Sequence, residues 1–441
     1  MGLPLHVRQI RRVDIQPLID KVGTRLSAWK GRLLNKAGRL RLVNYVLTSI
    51  PTYHLTVFRV QKWAIKKIDK LRRSFLWKGA KKANGGHCLV KWSKVMKPKN
   101  FGGLGILDLD LFSRALRLRW LWYEWVSPEK PWVGTALPMN AVDRQLFRAS
   151  TSVTLGDGAK ASFWQSSWMN GQAPMDLFPE LFKLAWRKNK TVKEEVHNQN
   201  WVRGLWRMQT VAQMADFIKL WDSVQEVQLA EEPDKITWKW TAHGEYTSKS
   251  AYNAQFLGSC NQFHGNSIWK AEAKGKHKCF AWLCVQSKIL TADKLMSRQW
   301  PCNPICSLCN QEQETAVHLV LHCSFARQVW EKMEEWTQQL VRLPENGIEI
   351  VDWWQKELMQ LPKKTRKLKA AMMMYCAWNL WKERNRRVFE QKTKNPIYIF
   401  VTNNIYMLHR ERYACILDCM HPRNFTGLNC SENADLYAFP S

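Results

Sequence analysis

The sequence predicts a mainly α-helical, multi-domain protein with small β-hairpins, and three observations carry that expectation. Apolar residues recur at helical spacing over long stretches, first at Val13, Ile15, Leu18, Ile19, Val22, Leu26 and Trp29. Strand-like alternation is confined to two short places, each beside a glycine turn. The 441 residues leave room for several domains, and 46% hydrophobic with 24% charged residues is the balance of a globular rather than a disordered chain.

Residues 1–126 read as a basic helical region. After the first helix, Gly31 and Gly38 punctuate a turn, and a second helix is expected from about Arg39 to Ile50, stopped by Pro51. A third spans about Gln61 to Lys78, with Trp63, Ile68, Leu71 and Phe75 on its apolar side and Gly79 as its C-cap. Lys62, Lys66, Lys67, Lys70, Arg72 and Arg73 fill the rest of that helix. Asp69 is the one acid among them, so ion pairing within the helix cannot neutralise the run. Residues 80–107 read as loops around Gly85-Gly86 and Gly102-Gly103, and a helix from about Asp110 to Val126 follows.

Residues 127–234 form a mixed connecting region, in which Val153 to Trp164 reads as strand, Gly156-Asp157-Gly158 turn and second strand. No chemistry is assigned to 165–234. Residues 235–335 begin with a second hairpin: Lys235 to Trp240 alternates, His243-Gly244 turns and Glu245 to Thr247 returns. A helix near Ser248, helical and aromatic patterning from Ile268 to Met296, and a helix through Trp330 and Trp336 follow. Residues 336–441 are helical and basic. Lys363, Lys364, Arg366, Lys367 and Lys369 open a helix running to about Phe389, and a loose tail is expected after 420. Most of the 25 Trp fall in apolar patterns and are expected in cores.

Charge narrows the functional classes. Lys and Arg number 67 against 37 Asp and Glu, a formal charge of +30. Residues 1–125 alone hold roughly 27 basic against 6 acidic side chains. A globular chain this basic repels itself unless a polyanion compensates it, so RNA, DNA or an acidic membrane surface is the candidate partner. The basic residues lie on several elements rather than on one amphipathic helix, which ranks the membrane last. The longest apolar run, Ala370 to Trp381, is broken by Asn379 and too short to span a bilayer. Pro4 and the lack of Ser or Thr at position 6 argue against N-myristoylation after Met1-Gly2. With no signal peptide recognised, an intracellular setting is expected, in which the 12 Cys are reduced thiols or metal ligands rather than a disulfide framework.

The sharpest local signal is Cys306-x2-Cys309-x8-His318-x4-Cys323. Zinc takes four thiolate or imidazole ligands in a tetrahedron. A Cys-x2-Cys knuckle presents two of them, and His318 and Cys323 supply two more from about one helical turn. Four protein ligands leave no position for a catalytic water, so one structural Zn2+ is expected. Cys302 could replace a thiolate and His322 could replace His318. A looser cluster, Cys415, Cys419, His421 and Cys430, is a weaker metal candidate.

Around that cluster stand Glu314-Thr315, Ala326-x3-Trp330, Gly244-Glu245-Tyr246-Thr247-Ser248-Lys249-Ser250-Ala251-Tyr252, Ile268-Trp269-Lys270, Phe280-Ala281-Trp282 and Leu290 to Leu295. Together they resemble the reverse-transcriptase zinc-binding domain of plant LINE-type, non-LTR retrotransposons. Gly2-Leu3-Pro4-Leu5, Leu26-x2-Trp29-Lys30-Gly31, Ala37-Gly38-Arg39, Phe75-Leu76-Trp77 and Gly102 to Gly105 resemble the thumb-like segment that follows the polymerase palm in that family. Gly156 to Gly158, Phe163-Trp164 and Trp381-x2-Arg384-Asn385 extend the likeness. The family usually places prolines before its Lys-rich aromatic segment, where this chain has Lys274-Gly275-Lys276-His277-Lys278.

What the resemblance implies is the C-terminal part of a reverse transcriptase without its palm. A palm needs paired aspartates to hold two magnesium ions, and no Asp-Asp pair occurs in this sequence. The leading expectation is a binding module for RNA or an RNA–DNA duplex with no catalytic residues, contacting phosphates through Lys62, Lys66, Lys67, Lys70, Arg73, Lys274, Lys276 and Lys278. Two alternatives stand beside it. The chain could polymerise when upstream sequence or another chain supplies a palm. Or it could be an inert relic or protein-interaction module that associates through an apolar thumb face.

Overall fold

The computed structural model describes residues 11–27, 31–82, 87–135, 137–259 and 265–400. Trp29, Gly85-Gly86, the loose tail and the Cys415–Cys430 cluster lie outside the described residues. The chain divides into two compact units, 1–262 and 263–441.

The first unit opens with helices α1 (Arg12–Ser27), α2 (Lys36–Leu42), α3 (Thr52–Val57) and α4 (Lys62–Lys78), and a long helix α5 spans Leu109–Val126. α1 and α2 pack on α4, and α3 packs on α5. Buried Val22, Leu26, Leu40, Leu55, Ile68 and Phe75 supply the apolar faces that the periodicity marked. α4 ends at Gly79, whose φ of 72° is left-handed and whose N–H caps the Phe75 carbonyl at 2.8 Å. Only glycine fits there: a Cβ would stand 2.6 Å from the Gly31 carbonyl oxygen. Arg39 ties this crossing together by donating to the carbonyls of Gly31 (2.8 Å) and Trp77 (3.2 Å).

Pro51 does not end helicity in the way expected. α2 runs into a π turn at Val43–Leu47, and the chain re-enters helix at Thr52 with Pro51 as the N-cap. A residue without an N–H costs nothing at a helix start, where that donor has no intrahelical acceptor.

The fold class stands as mainly α, but the strand pairing differs from the two local hairpins expected. β1 (Thr151–Thr154) pairs antiparallel with β2 (Lys235–Trp238), in a register that sets Thr151 opposite Trp238 and Thr154 opposite Lys235. One strand comes from each expected hairpin. The reason lies in Asp234. Its carboxylate accepts N–H bonds from Gly156 (2.8 Å), Gly158 (3.0 Å), Lys160 (3.0 Å) and Ala161 (2.8 Å). That wraps the Gly156–Gly158 loop around the chain entering β2 and leaves Ala161, Phe163 and Trp164 to fill a core with Trp201 and Leu181. At the second site Gly244 (φ 72°) makes the turn and its carbonyl accepts the Trp238 N–H at 2.6 Å, with no returning strand. β2 and helix α8 (Ser248–Ala254) join Leu118, Trp122 and Phe147 in a further core through Trp238, Ala251 and Tyr252. Helices α6 (Ala141–Ser150) and α7 (Val211–Gln225) complete the larger elements of this unit.

The second unit holds α9 (Asn266–Lys270), α10 (Gly275–Val285), α11 (Ala292–Met296), α12 (Ser324–Trp336), α13 (Ile350–Leu358) and the 28-residue α14 (Lys363–Glu390). α14 is the spine, with α9, α10, α12 and α13 all packed on it. It is apolar nearly all round from Leu368 to Leu380, as a helix surrounded by partners must be. α10 starts where the expected prolines are missing, with Lys274 in extended conformation at its N-cap.

Candidate metal centre and basic surfaces

Local chain geometry assembles the metal ligands from two pieces. The Cys306–Cys309 pair lies in a tight knuckle: the Cys306 N–H bonds to the Glu312 carbonyl and the Asn310 N–H to the Cys306 carbonyl, both at 2.8 Å. Asn310 takes the left-handed conformation (φ 57°) that lets the loop close. His318 opens a π turn, His318–His322, and Cys323 caps the start of α12. The wider π turn brings the Cys323 N–H onto the His318 carbonyl at 2.7 Å and so places both side chains on the knuckle.

The four ligand atoms all lie within 4.8 Å of one another. Cys306 Sγ is 3.9 Å from Cys323 Sγ, and Cys309 Sγ is 3.3 Å from His318 Nε2. A tetrahedron with zinc–sulfur bonds of about 2.3 Å has edges of roughly 3.8 Å, so the spacing fits one zinc ion. Cys306 and Cys323 are fully buried and His318 nearly so. Glu312 Oε2 stands 3.0 Å from the other ring nitrogen of His318, which leaves Nε2 as the nitrogen turned toward the cysteines. Cys302 and His322 are engaged elsewhere: the Cys302 thiol faces the Ala292 carbonyl at 3.6 Å, and His322 Nε2 lies 3.0 Å from the Ile348 carbonyl.

The four donors lie close enough to shift one another's protonation. The bond from Cys323 and the neighbouring His318 hold the Cys306 thiol far below its usual range, while the same bond and burial push Cys323 up. Burial opposes protonation of His318, but its bonds to Cys306 and Cys309 win and raise it to about 9. Zinc takes cysteines as thiolates and histidine as the neutral ring, so its binding at these four donors releases protons.

Glu314 and Arg384, which the sequence offered only as parts of resemblance motifs, brace this centre, and Arg387 joins them. Glu314, between the two ligand pairs, is buried against Arg384 of α14 with nitrogen–oxygen distances of 2.7 to 3.1 Å. Its carboxylate also accepts the Ala292 N–H at 2.9 Å, which links the knuckle to α11. Arg387, one turn on, donates to the carbonyls of Ser307 (3.1 Å) and Leu308 (2.8 Å) inside the knuckle. The signal was the placing of Glu383, Arg384 and Arg387 directly after the apolar run within α14.

The predicted phosphate-contact residues fall on one helix of the first unit and one short stretch of the second. On α4, Lys62, Lys66, Lys67 and Lys70 are exposed and Arg73 is half-buried. Lys62, Lys66, Lys70 and Arg73 follow one another at i+4 and i+3 intervals, which makes a single stripe. Lys67 and Arg12 stand 5.1 and 5.5 Å from the centre of the Trp63 ring. Arg72, part of the same run in sequence, is instead fully buried, bonded to Asp69 (2.6 Å), Thr48 (3.1 Å) and the Leu107 carbonyl (2.8 Å). In the second unit Lys274 is exposed, while Lys276 lies 5.8 Å over the Trp378 ring. Burial first, then Lys274 and Lys382, lowers the Lys276 pKa, which adds Lys382 to this cluster. Lys278 turns inward and donates to the Trp269 carbonyl at 2.9 Å, so its ammonium is occupied within the fold.

No helix among the described residues is long and apolar enough to cross a membrane. Residues 246–330 match the family model described as zinc-binding in reverse transcriptase. The chain is 23% identical over 369 residues to an Arabidopsis thaliana protein named "Putative ribonuclease H protein", covering 74% of this chain and 57% of that protein. It is 26% identical over 150 residues to an "Uncharacterized mitochondrial protein" of the same plant, covering 29% of this chain and 97% of the relative. The chain thus spans little more than half the length of the first of these relatives. Cys306, Cys309, His318 and Cys323 all fall within residues 246–330, so the cluster able to hold one zinc ion lies in the stretch that matches a zinc-binding domain of reverse transcriptase.

Proposed function

We propose that this chain is a nucleic-acid-binding module, related to the C-terminal part of a plant LINE-type reverse transcriptase, in which one zinc ion is structural and the chain's own residues perform no nucleotidyl transfer. The observation that carries the reading is the α4 stripe. Its lysines face solvent, and Asp69, the helix's one acid, is engaged by buried Arg72. That leaves a row of uncompensated positive charge suited to a phosphate backbone. The favoured partner is RNA or an RNA–DNA duplex. Lys274, Lys276 and Lys382 add a further basic patch on the second unit, and a cell interior that keeps the zinc thiolates reduced suits the site.

The zinc ion would contribute folding energy by joining the knuckle to the π turn, with Cys306, Cys309, His318 and Cys323 filling its shell. No paired aspartates occur in the 441 residues to hold catalytic magnesium. A second reading, polymerisation with a palm supplied by further sequence or another chain, draws on the 57% coverage of the ribonuclease H-named relative. Association through an apolar face draws on exposed Leu33, Tyr45 and Tyr53 in the first unit. Gel filtration separates that from nucleic-acid binding.

The test is fluorescence anisotropy of a labelled RNA hairpin titrated with the protein across a salt series. Sub-micromolar binding at low salt that weakens steeply as salt rises is the expected result. No binding at low salt would refute the reading.

A further inference from the structure

We infer that a groove in the first unit, walled by Trp240, Phe101 and Leu257, is a binding site for an unpaired nucleotide of single-stranded RNA or DNA. The inference rests on the nucleic-acid-binding reading and goes beyond it, because the α4 stripe recognises backbone charge and this groove would recognise a base.

The groove is an open cavity of about 420 Å³ between the segment at Asn100–Phe101 and residues 240–257. Its volume lies within the range of small-ligand pockets and exceeds what one base needs. Trp240 follows β2 at the Gly244 turn and keeps 42% of its surface exposed, while Trp238, two residues earlier, is fully buried. Leu257, 55% exposed, also lines the groove, and Phe101 is fixed by Phe256, with ring centres 6.0 Å apart. A large aromatic side chain held open beside apolar walls offers a face for stacking, which every base can use.

The polar lining selects the occupant. Asn100 and Asn253 both line the groove, and neither side-chain amide has a hydrogen-bond partner among the described residues. A primary amide can donate and accept at once, which matches the edge of a base. Lys249 lines the same groove with its ammonium unpaired among the described residues, suitably charged for the phosphate of the same or the next nucleotide. No Asp or Glu lines it. An aromatic wall, two free amides and a lysine without an opposing carboxylate suit a nucleotide better than a cationic or purely apolar ligand. A base within a duplex is stacked and paired, so the site would admit only single strands or frayed ends.

Anisotropy titrations of the full chain with a short labelled single-stranded RNA, and with the same strand annealed to its complement, test the inference. Trp240→Ala should weaken single-strand binding by roughly 5- to 100-fold, the equivalent of one lost base stack, and leave duplex binding unchanged. Trp240→Phe, which keeps a stacking face, should restore most of the affinity. Lys249→Ala should lower the single-strand salt slope by about 0.7, one phosphate contact. Unchanged single-strand binding in Trp240→Ala would overturn the groove while leaving the module reading intact. Equal losses on single strand and duplex would also overturn it, since they would mark Trp240 as structural. Failure of the unmodified chain to bind either RNA would instead bring down the module reading, and the groove with it.

Discussion

Replacing Arg384 by methionine should loosen the metal centre from a distance. Glu314 is 2% exposed and Arg384 4%, and three short nitrogen–oxygen contacts join them. Arg384→Met removes every one of those contacts and leaves a buried carboxylate with the Ala292 N–H as its remaining bonded donor. Breaking one partner of such a pair typically costs about 3–5 kcal/mol, because the desolvated charge has lost its compensation. At about 1.4 kcal/mol per factor of ten, amides that exchange by opening this region should exchange on the order of 10²- to 10⁴-fold faster. The Ala292 and Cys306 amides report it, since one bonds to Glu314 itself and the other to the knuckle at Glu312. The double variant Glu314→Leu, Arg384→Met removes both charges and should recover at least about 2 kcal/mol of the loss. Hydrogen exchange of the zinc-loaded protein is the assay. A single variant that costs under about 1 kcal/mol, or a double variant no better than the single, would refute the bracing role.

Further outcomes follow from other sites. Cys306→Ser should take bound zinc from one equivalent per chain to near zero by elemental analysis and remove exchange protection around residues 300–335, while unchanged metal content would sink the ligand assignment. Asp234→Ala strips the acceptor from four backbone N–H groups and should destabilise the first unit by about 2–4 kcal/mol in urea unfolding; a loss below about 0.5 kcal/mol would contradict its anchoring role. Burial, then Lys276, Lys274 and Lys382, lowers the pKa of His277 to about 3, with its ring edge-on to Tyr375 and Trp378. A depressed histidine binds its proton more readily when unfolded, so stability is intact above the unfolded value near 6.5 and falls toward pH 3, by up to about 1.4 kcal/mol per pH unit. His277→Phe should flatten that part of the stability profile, and an unchanged profile would contradict the assignment.

What the sequence made legible followed from local rules. α4 with its Gly79 cap, α5 and α14 were readable because apolar spacing and capping are properties of one segment. The metal ligands were readable for the same reason, since Cys306 to Cys323 fall within 18 residues and zinc geometry restricts their spacing. What failed was long-range. Val153 to Trp164 reads as a hairpin until Asp234, more than 70 residues away, takes the loop's N–H groups. Arg72 looked like its solvated neighbours, and only Thr48 and the Leu107 carbonyl, brought in by packing, make it internal. The Glu314–Arg384 pair spans 70 residues and left no spacing signal. Lys278 differs from its neighbours for a smaller reason: one helical turn decides whether a lysine stands free in solvent or bonds the Trp269 carbonyl.

The most direct test of the account compares salt slopes for RNA-hairpin binding between the unmodified chain and a variant with Lys62, Lys66, Lys67 and Lys70 all changed to Gln. These four are exposed and their removal opens no cavity, so the fold should be retained. At about 0.7–0.9 per neutralised phosphate, the slope of log affinity against log salt should become shallower by up to roughly 3 to 3.6, with weaker binding at low salt. Identical slopes and affinities would mean that the α4 stripe does not meet the nucleic acid, and the binding-module reading would lose the observation that carries it.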